Sequence, residues 1–268
     1  MIGALVFLGC PLRMVLRMAA GDLNAWVALI GFAGGVATGS FFLKKGFSLG
    51  RAYEVKPVGG AVLPVLLAAL LVIGVATGAY AASTEGPGSK HAPIILSLVV
   101  ALIIGALAQK SRMCFAGSIR DLILMKNFDL ISIIAALFAV MVVYNVANGS
   151  FHFGFSGQPI AHSQHLWNIL GMYVVGFAAV LAGGCPLRQL ILAGQGSSDS
   201  AVTFLGMLIG AAFAHNFGLV GAAAKAATET EPAVAGGPAA AGKIAVIVCI
   251  VVLFVIAGTN LRRKKTAK

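Results

Sequence analysis

Charge is scarce in this chain. Asp and Glu total eight against nineteen Lys and Arg, and charged residues make up only 10% of the 268. With 59% hydrophobic residues and a mean hydropathy of +0.97, that balance excludes a soluble domain of this length. Cysteine is sparse too. The four present form no C-x-x-C pair, which argues against a zinc site or a disulfide scaffold. No nucleotide, phosphate-loop, metalloprotease or serine-hydrolase motif occurs, and His152, His162 and His165 lack metal-ligand spacing. The sequence therefore predicts no enzyme, no cofactor and no metal. A net charge of +11 would suggest nucleic acid in a soluble protein. In so apolar a chain it reads instead as basic residues concentrated in cytoplasmic loops, with no nucleic-acid partner.

Glycine, by contrast, is abundant at 34 residues, as tight helix packing in lipid favours. Part of it is duplicated. The string GCPLR occurs at Gly9–Arg13 and again at Gly184–Arg188. At the same offset, Gly21, Gly31, Gly35, Phe42 and Gly46 fall on Gly196, Gly206, Gly210, Phe217 and Gly221. An ungapped repeat of this kind in an apolar chain is the mark of a duplicated membrane unit, with the substrate site where the copies meet.

Hydropathy predicts an all-α integral membrane protein with seven spans, near 24–43, 61–82, 93–110, 128–148, 166–183, 199–221 and 243–260. Three segments are neither span nor loop: 9–19, 111–126 and 184–196. Each carries a Cys and an Arg on a stretch too short to cross, which predicts re-entrant half-helices. If each returns to the side it left and the tail 261–268 lies inside, fourteen basic residues are cytoplasmic and five external. This predicts a multi-pass protein of the inner (plasma) membrane with a cytoplasmic C-terminus. The same parity makes the repeat units, about 1–60 and 176–235, inverted. Only MIGALVFL precedes Gly9 where a whole span precedes Gly184, so the expectation is that an N-terminal part is missing.

Residue order also predicts chemistry. Pro11 and Pro186 push Cys10 and Cys185 into extended conformation and suit the first helical position. Each following helix then aims free N–H groups and its positive dipole end at the thiol. Arg13 and Arg188 add full charge. Cys114 has similar company, with Arg112 before it and Arg120-Asp121 after it. The expected substrate path is Cys10, Cys114, Cys185, Arg13, Arg188 and Arg112, supported by Gly9, Pro11, Gly184, Pro186 and Asp121. Asp121 is expected to pair with an arginine other than the adjacent Arg120. Arg17 reads as a snorkelling anchor, His215 as a packing histidine, and Cys249 as a packed core residue.

The GCPLR strings, SRMCFAGSIRDLIL and GGCPLRQLILAGQGSSDSAVTFLGMLIGAAFAHNFG together resemble the YeeE/YedE family of sulphur-compound transport proteins. The wording is nearest to the YedE/FdhT branch associated with selenium metabolism. The resemblance implies an inverted-repeat helical fold importing an inorganic sulphur or selenium anion, with Cys10, Cys114 and Cys185 along the path. It also implies a cysteine-rich segment upstream of the residues present here. A soft anion can accept a weak hydrogen bond from a neutral S–H, and several weak sites suit conduction. A competing expectation is a thiol relay, in which one cysteine takes a sulphur or selenium atom covalently and hands it to a small cytoplasmic carrier protein.

Overall fold

The computed structural model describes residues 1–50, 56–78, 92–225 and 234–261. Its helices are α1 (Ile2–Phe7), α2 (Pro11–Ala19), α3 (Leu23–Lys44), α4 (Pro57–Thr77), α5 (Ile94–Lys110) and α6 (Phe115–Met125). They continue with α7 (Asp129–Ala147), α8 (His165–Leu181), α9 (Pro186–Gly194), α10 (Ser198–Asn216) and α11 (Ala240–Thr259). One two-residue hairpin, β1 (Gly221–Ala222) with β2 (Gly237–Pro238), is the sheet among the described residues. The protein is an all-α membrane protein.

Among the described residues, seven stretches are long and apolar enough to cross a bilayer. Three of them, Ile2–Ala19, Ile94–Met125 and His165–Gly194, are interrupted, each at a cysteine that precedes a short helix. The expected segments 9–19, 111–126 and 184–196 are thus realised as α2, α6 and α9. The expected span 199–221 corresponds to α10, which ends at Asn216 and is not one of the seven. Asp199, Thr203, His215 and Asn216 make it more polar than its neighbours. His215 is exposed rather than packed.

Two compact units form. One comprises Met1–Arg51, Cys114–Leu187 and Leu205–Lys268; the other comprises Ala52–Met113 and Arg188–Phe204. The first is organised by α3 against α8. Gly31 lies under the Ile169 carbonyl, Gly35 under that of Tyr173, and Gly39 against Val180, so the helices run parallel. Gly176 returns the contact under the Phe32 carbonyl. Only glycine lets two backbones approach this closely. Tyr173 Oη bonds Thr38 Oγ1 at 3.0 Å along the same seam.

Other helices of this unit orient against that pair. α7 runs opposite to α3, since Trp26 meets Phe138 edge-on at 5.8 Å while Asn145 Nδ2 donates to Ala19 O. α11 runs with α8: Val246 packs beside Val174, and Ala257 beside Phe177 and Leu181. Phe47 bridges Leu261, so the ends of α3 and α11 meet beside Lys44 and Lys45. The basic tail expected at 261–268 lies, beyond Leu261, outside the described residues.

The loop 149–164 is tied to the α2–α3 corner. His152 N and Gly154 N donate to Ala20 and Gly21 carbonyls, and Leu23 N returns a bond to Gly154 O. Gly21 holds φ +94 there, and a Cβ would collide with His152 O at 2.6 Å. His162 is buried, accepts at Nδ1 from Gln164 N, and so donates from Nε2 to Val6 O at 2.8 Å. Burial pushes His162 below its ordinary value; Arg17 and His165 push the same way, against the Val6 carbonyl and Asp22. A lowered histidine binds fewer protons folded than unfolded. Stability should therefore be complete above about pH 6.5 and fall as the pH drops from there towards the folded value. Thermal unfolding in detergent across pH 5–8 should show that slope, and His162→Gln should flatten it.

In the second unit, α4 meets the turn after α9, where Gly60 and Gly196 stack backbone on backbone. Both α4 and α5 expose apolar side chains widely, as lipid-facing helices do.

Candidate functional site

Cys10 is the N-cap of α2, extended at φ −82 and ψ 172, with Pro11 at the first helical position. This is the geometry that Cys-Pro dictates. Cys114 caps α6 in the same way at φ −152 and ψ 115, without a proline. Its own sulfur takes over capping, accepting from Gly117 N at 3.2 Å. Gly117 suits that role, because a Cβ there would crowd Sγ at 3.2 Å. Cys185 is fully buried, directly before Pro186 at the start of α9. All four cysteines are thiols.

The fold brings two of these starts together. Cys185 N donates to Cys114 Sγ at 3.5 Å. One sulfur thus collects donors from its own helix and from a segment 71 residues away. Both cysteines belong to one apolar cluster with Phe7, Met14, Phe115 and Met172. Leu12 and Leu187, which follow the two prolines, pack against that cluster too. Cys10 is half-buried between Phe7 and Met14 in sequence, so all three helix starts border the same core.

The basic residues divide. Arg13 folds back over Gly9, whose missing Cβ would sit 3.0 Å from Arg13 Cδ. Its Nε is buried and has no hydrogen-bond partner among the described residues. Arg188 belongs to the second unit, where Nη1 donates to Gln109 Oε1 at 2.9 Å. Arg112, in the same unit, is exposed and left-handed at φ +53. Gly184 is buried and Pro186 half-buried. Cys249 packs beside Ile2, Trp167 and Ile250, away from the paired thiols.

Two expectations are corrected. Asp121 does pair with Arg120, from both Nε and Nη2 at 2.8 Å. The guanidinium is long enough to turn back along the helix, so adjacency is no bar. Arg17 is not a snorkelling anchor but is buried, with Nε 2.7 Å from Asp22 Oδ2. It also donates to Phe7 O at 3.1 Å and lies over the Phe7 ring at 4.4 Å. Sequence reasoning missed this pair. Its signal was an Asp at the N-cap of an apolar span, five residues after an Arg on an amphipathic helix.

The sulphur transport family profile matches residues 110–268, which include Cys114 and Cys185 but not Cys10. Among curated proteins, the thiosulfate transporter TsuA of Escherichia coli (strain K12) is 26% identical over 116 residues. That alignment covers 43% of this chain and 32% of TsuA, so the chain matches about a third of that relative's length. No solved structure matches. With more than half its residues matched, the chain belongs to the sulphur transport (YeeE/YedE) family.

Proposed function

We propose that this protein imports a small inorganic sulphur anion of the thiosulfate class across the inner membrane. The observation that carries the reading is the Cys114–Cys185 contact, two buried cysteines meeting at helix starts in a chain of the sulphur transport family. Those helix starts offer backbone N–H groups and a positive dipole end to an anion. In the resting site the Cys185 backbone N–H is taken by Cys114 Sγ. An arriving anion competes for it, which keeps the contact weak enough for release. Arg13, with its partnerless Nε, supplies attraction on the Cys10 side. The TsuA relative favours thiosulfate; the chain's wording resembles the selenium branch, so a selenium oxyanion is the alternative cargo.

The reading includes inverted repeats over about 1–60 and 176–235. It is supported by α1 crossing α8 with Gly3 beside Val174 and Val6 beside Gly171, an antiparallel order. A cytoplasmic C-terminus is supported by Leu261 meeting Phe47 near Lys44 and Lys45. The second reading is the covalent relay, in which a thiolate takes the outer sulphur of thiosulfate, releases sulfite, and passes the persulfide to a small cytoplasmic carrier.

Single Ser and Ala replacements at Cys10, Cys114 and Cys185 separate the two. If S–H acts as a hydrogen-bond donor, each Ser variant keeps part of the uptake of labelled thiosulfate and each Ala variant keeps less. A covalent relay is abolished equally by both at its essential position. Arg13→Lys should also lose uptake, since an ammonium cannot reproduce the guanidinium's planar contact. Full uptake by the triple Ala variant would refute any role for these thiols.

A further inference from the structure

We propose that Cys114 and Cys185 form a reversible intramolecular disulfide that peroxide closes and a dithiol reopens. The consequence for transport rests on the function proposed above: closure removes both buried thiols from the anion path at once. Three observations carry the pairing. The Cys185 N–H lies 3.5 Å from Cys114 Sγ, which puts the Cys185 Cα within about 5 Å of that sulfur. Both cysteines are buried in one apolar cluster. Each cysteine sits just outside a helix, Cys114 extended and Cys185 before a proline, so neither backbone must break helical bonds to bring the sulfurs together.

The chemistry balances with a hydroperoxide as oxidant. One thiol attacks a peroxide oxygen, giving a sulfenic acid and releasing water. The second thiol attacks the sulfenic sulfur, forming the S–S bond and releasing a second water. Two thiols lose two electrons, and hydrogen peroxide is reduced to two waters. A neighbouring thiol resolves the sulfenic acid before further oxidation, which Cys249, in its own apolar cluster, cannot offer to Cys114. Dithiothreitol reverses the bond by exchange.

The test treats the full-length protein in membranes with hydrogen peroxide, alkylates it under denaturing conditions, and maps peptides without reduction. The expected product is one cross-linked peptide pair joining Cys114 to Cys185, with Cys10 and Cys249 alkylated and the pair restored by dithiothreitol. In Cys185→Ser, Cys114 should instead be trapped by dimedone as a sulfenic acid. Four alkylated cysteines after treatment, or a sulfinic acid at Cys114 in the wild type, would overturn the pairing. In parallel, treated wild type should lose uptake of labelled thiosulfate and regain it with dithiothreitol, as should Cys249→Ser. A mapped disulfide with undiminished uptake would overturn the closure of the path. Absence of uptake by the reduced protein would contradict the transport reading, while the peptide map still decides the disulfide.

Discussion

Asp22→Asn should destabilise the folded protein by about 3–5 kcal/mol, the cost of leaving a buried charge without its counter-ion. Asn is itself a good N-cap, so the substitution isolates charge from capping. Asp22 Oδ2 holds Arg17 Nε at 2.7 Å, while Oδ1 accepts from Asn24 N at 2.9 Å and Asn24 Nδ2 at 3.0 Å. Both ionised side chains are buried, at 7% exposure for Arg17 and 1% for Asp22. Nothing on Asn can neutralise the guanidinium, although Phe7 O and the Phe7 ring still touch it. Thermal unfolding in detergent measures the loss. The pair also predicts non-additivity: Arg17→Met with Asp22→Asn should be more stable than the sum of the two single losses. Additive losses would contradict a direct buried ion pair.

Gly35→Leu should prevent α3 and α8 from closing, at a cost at or beyond the about 1–3 kcal/mol typical of overpacking. The added Cβ would lie on the Tyr173 carbonyl and against Phe177 N at 2.8 Å, both backbone atoms that no rotamer change can move. Forcing the helices apart also strains the Tyr173–Thr38 hydrogen bond. The expected readouts are a lower unfolding temperature and a loss of monodisperse protein on size exclusion. Gly105 is the control, because an added Cβ there meets nothing within 4 Å among the described residues. Gly105→Ala should be neutral or slightly stabilising, since alanine is the better helix former. Equal behaviour of the two variants would contradict the close seam.

The contrast between these two sites shows what a single sequence can disclose. Spans were legible because lipid imposes one rule on every crossing helix, and α3, α5, α7 and α8 lie within a few residues of their expected bounds. Cys10 was legible because proline restricts the residue before it whatever the surroundings. Cys114 capping Gly117 through sulfur was not, since no local rule favours a thiol in that role. Its meeting with Cys185 was not either: 71 residues separate them, and sequence carries no distance between remote positions. Arg17 was misread because the charged end of a short amphipathic helix normally reaches for water. Here Gly21 turns the chain at φ +94 and delivers Asp22 to it instead. Arg120 and Asp121 were misjudged by treating helix neighbours as divergent, when the arginine stem bends far enough to close the pair.

Movement of a sulphur anion along paired thiols is this chain's proposed function. It is tested most directly by reconstituting the full-length protein in sealed vesicles and following labelled thiosulfate. Wild type should accumulate label above empty vesicles, unlabelled thiosulfate should compete, and Cys114→Ala with Cys185→Ala should fall to the empty-vesicle level while remaining folded. Accumulation by the folded double variant equal to wild type would contradict the account.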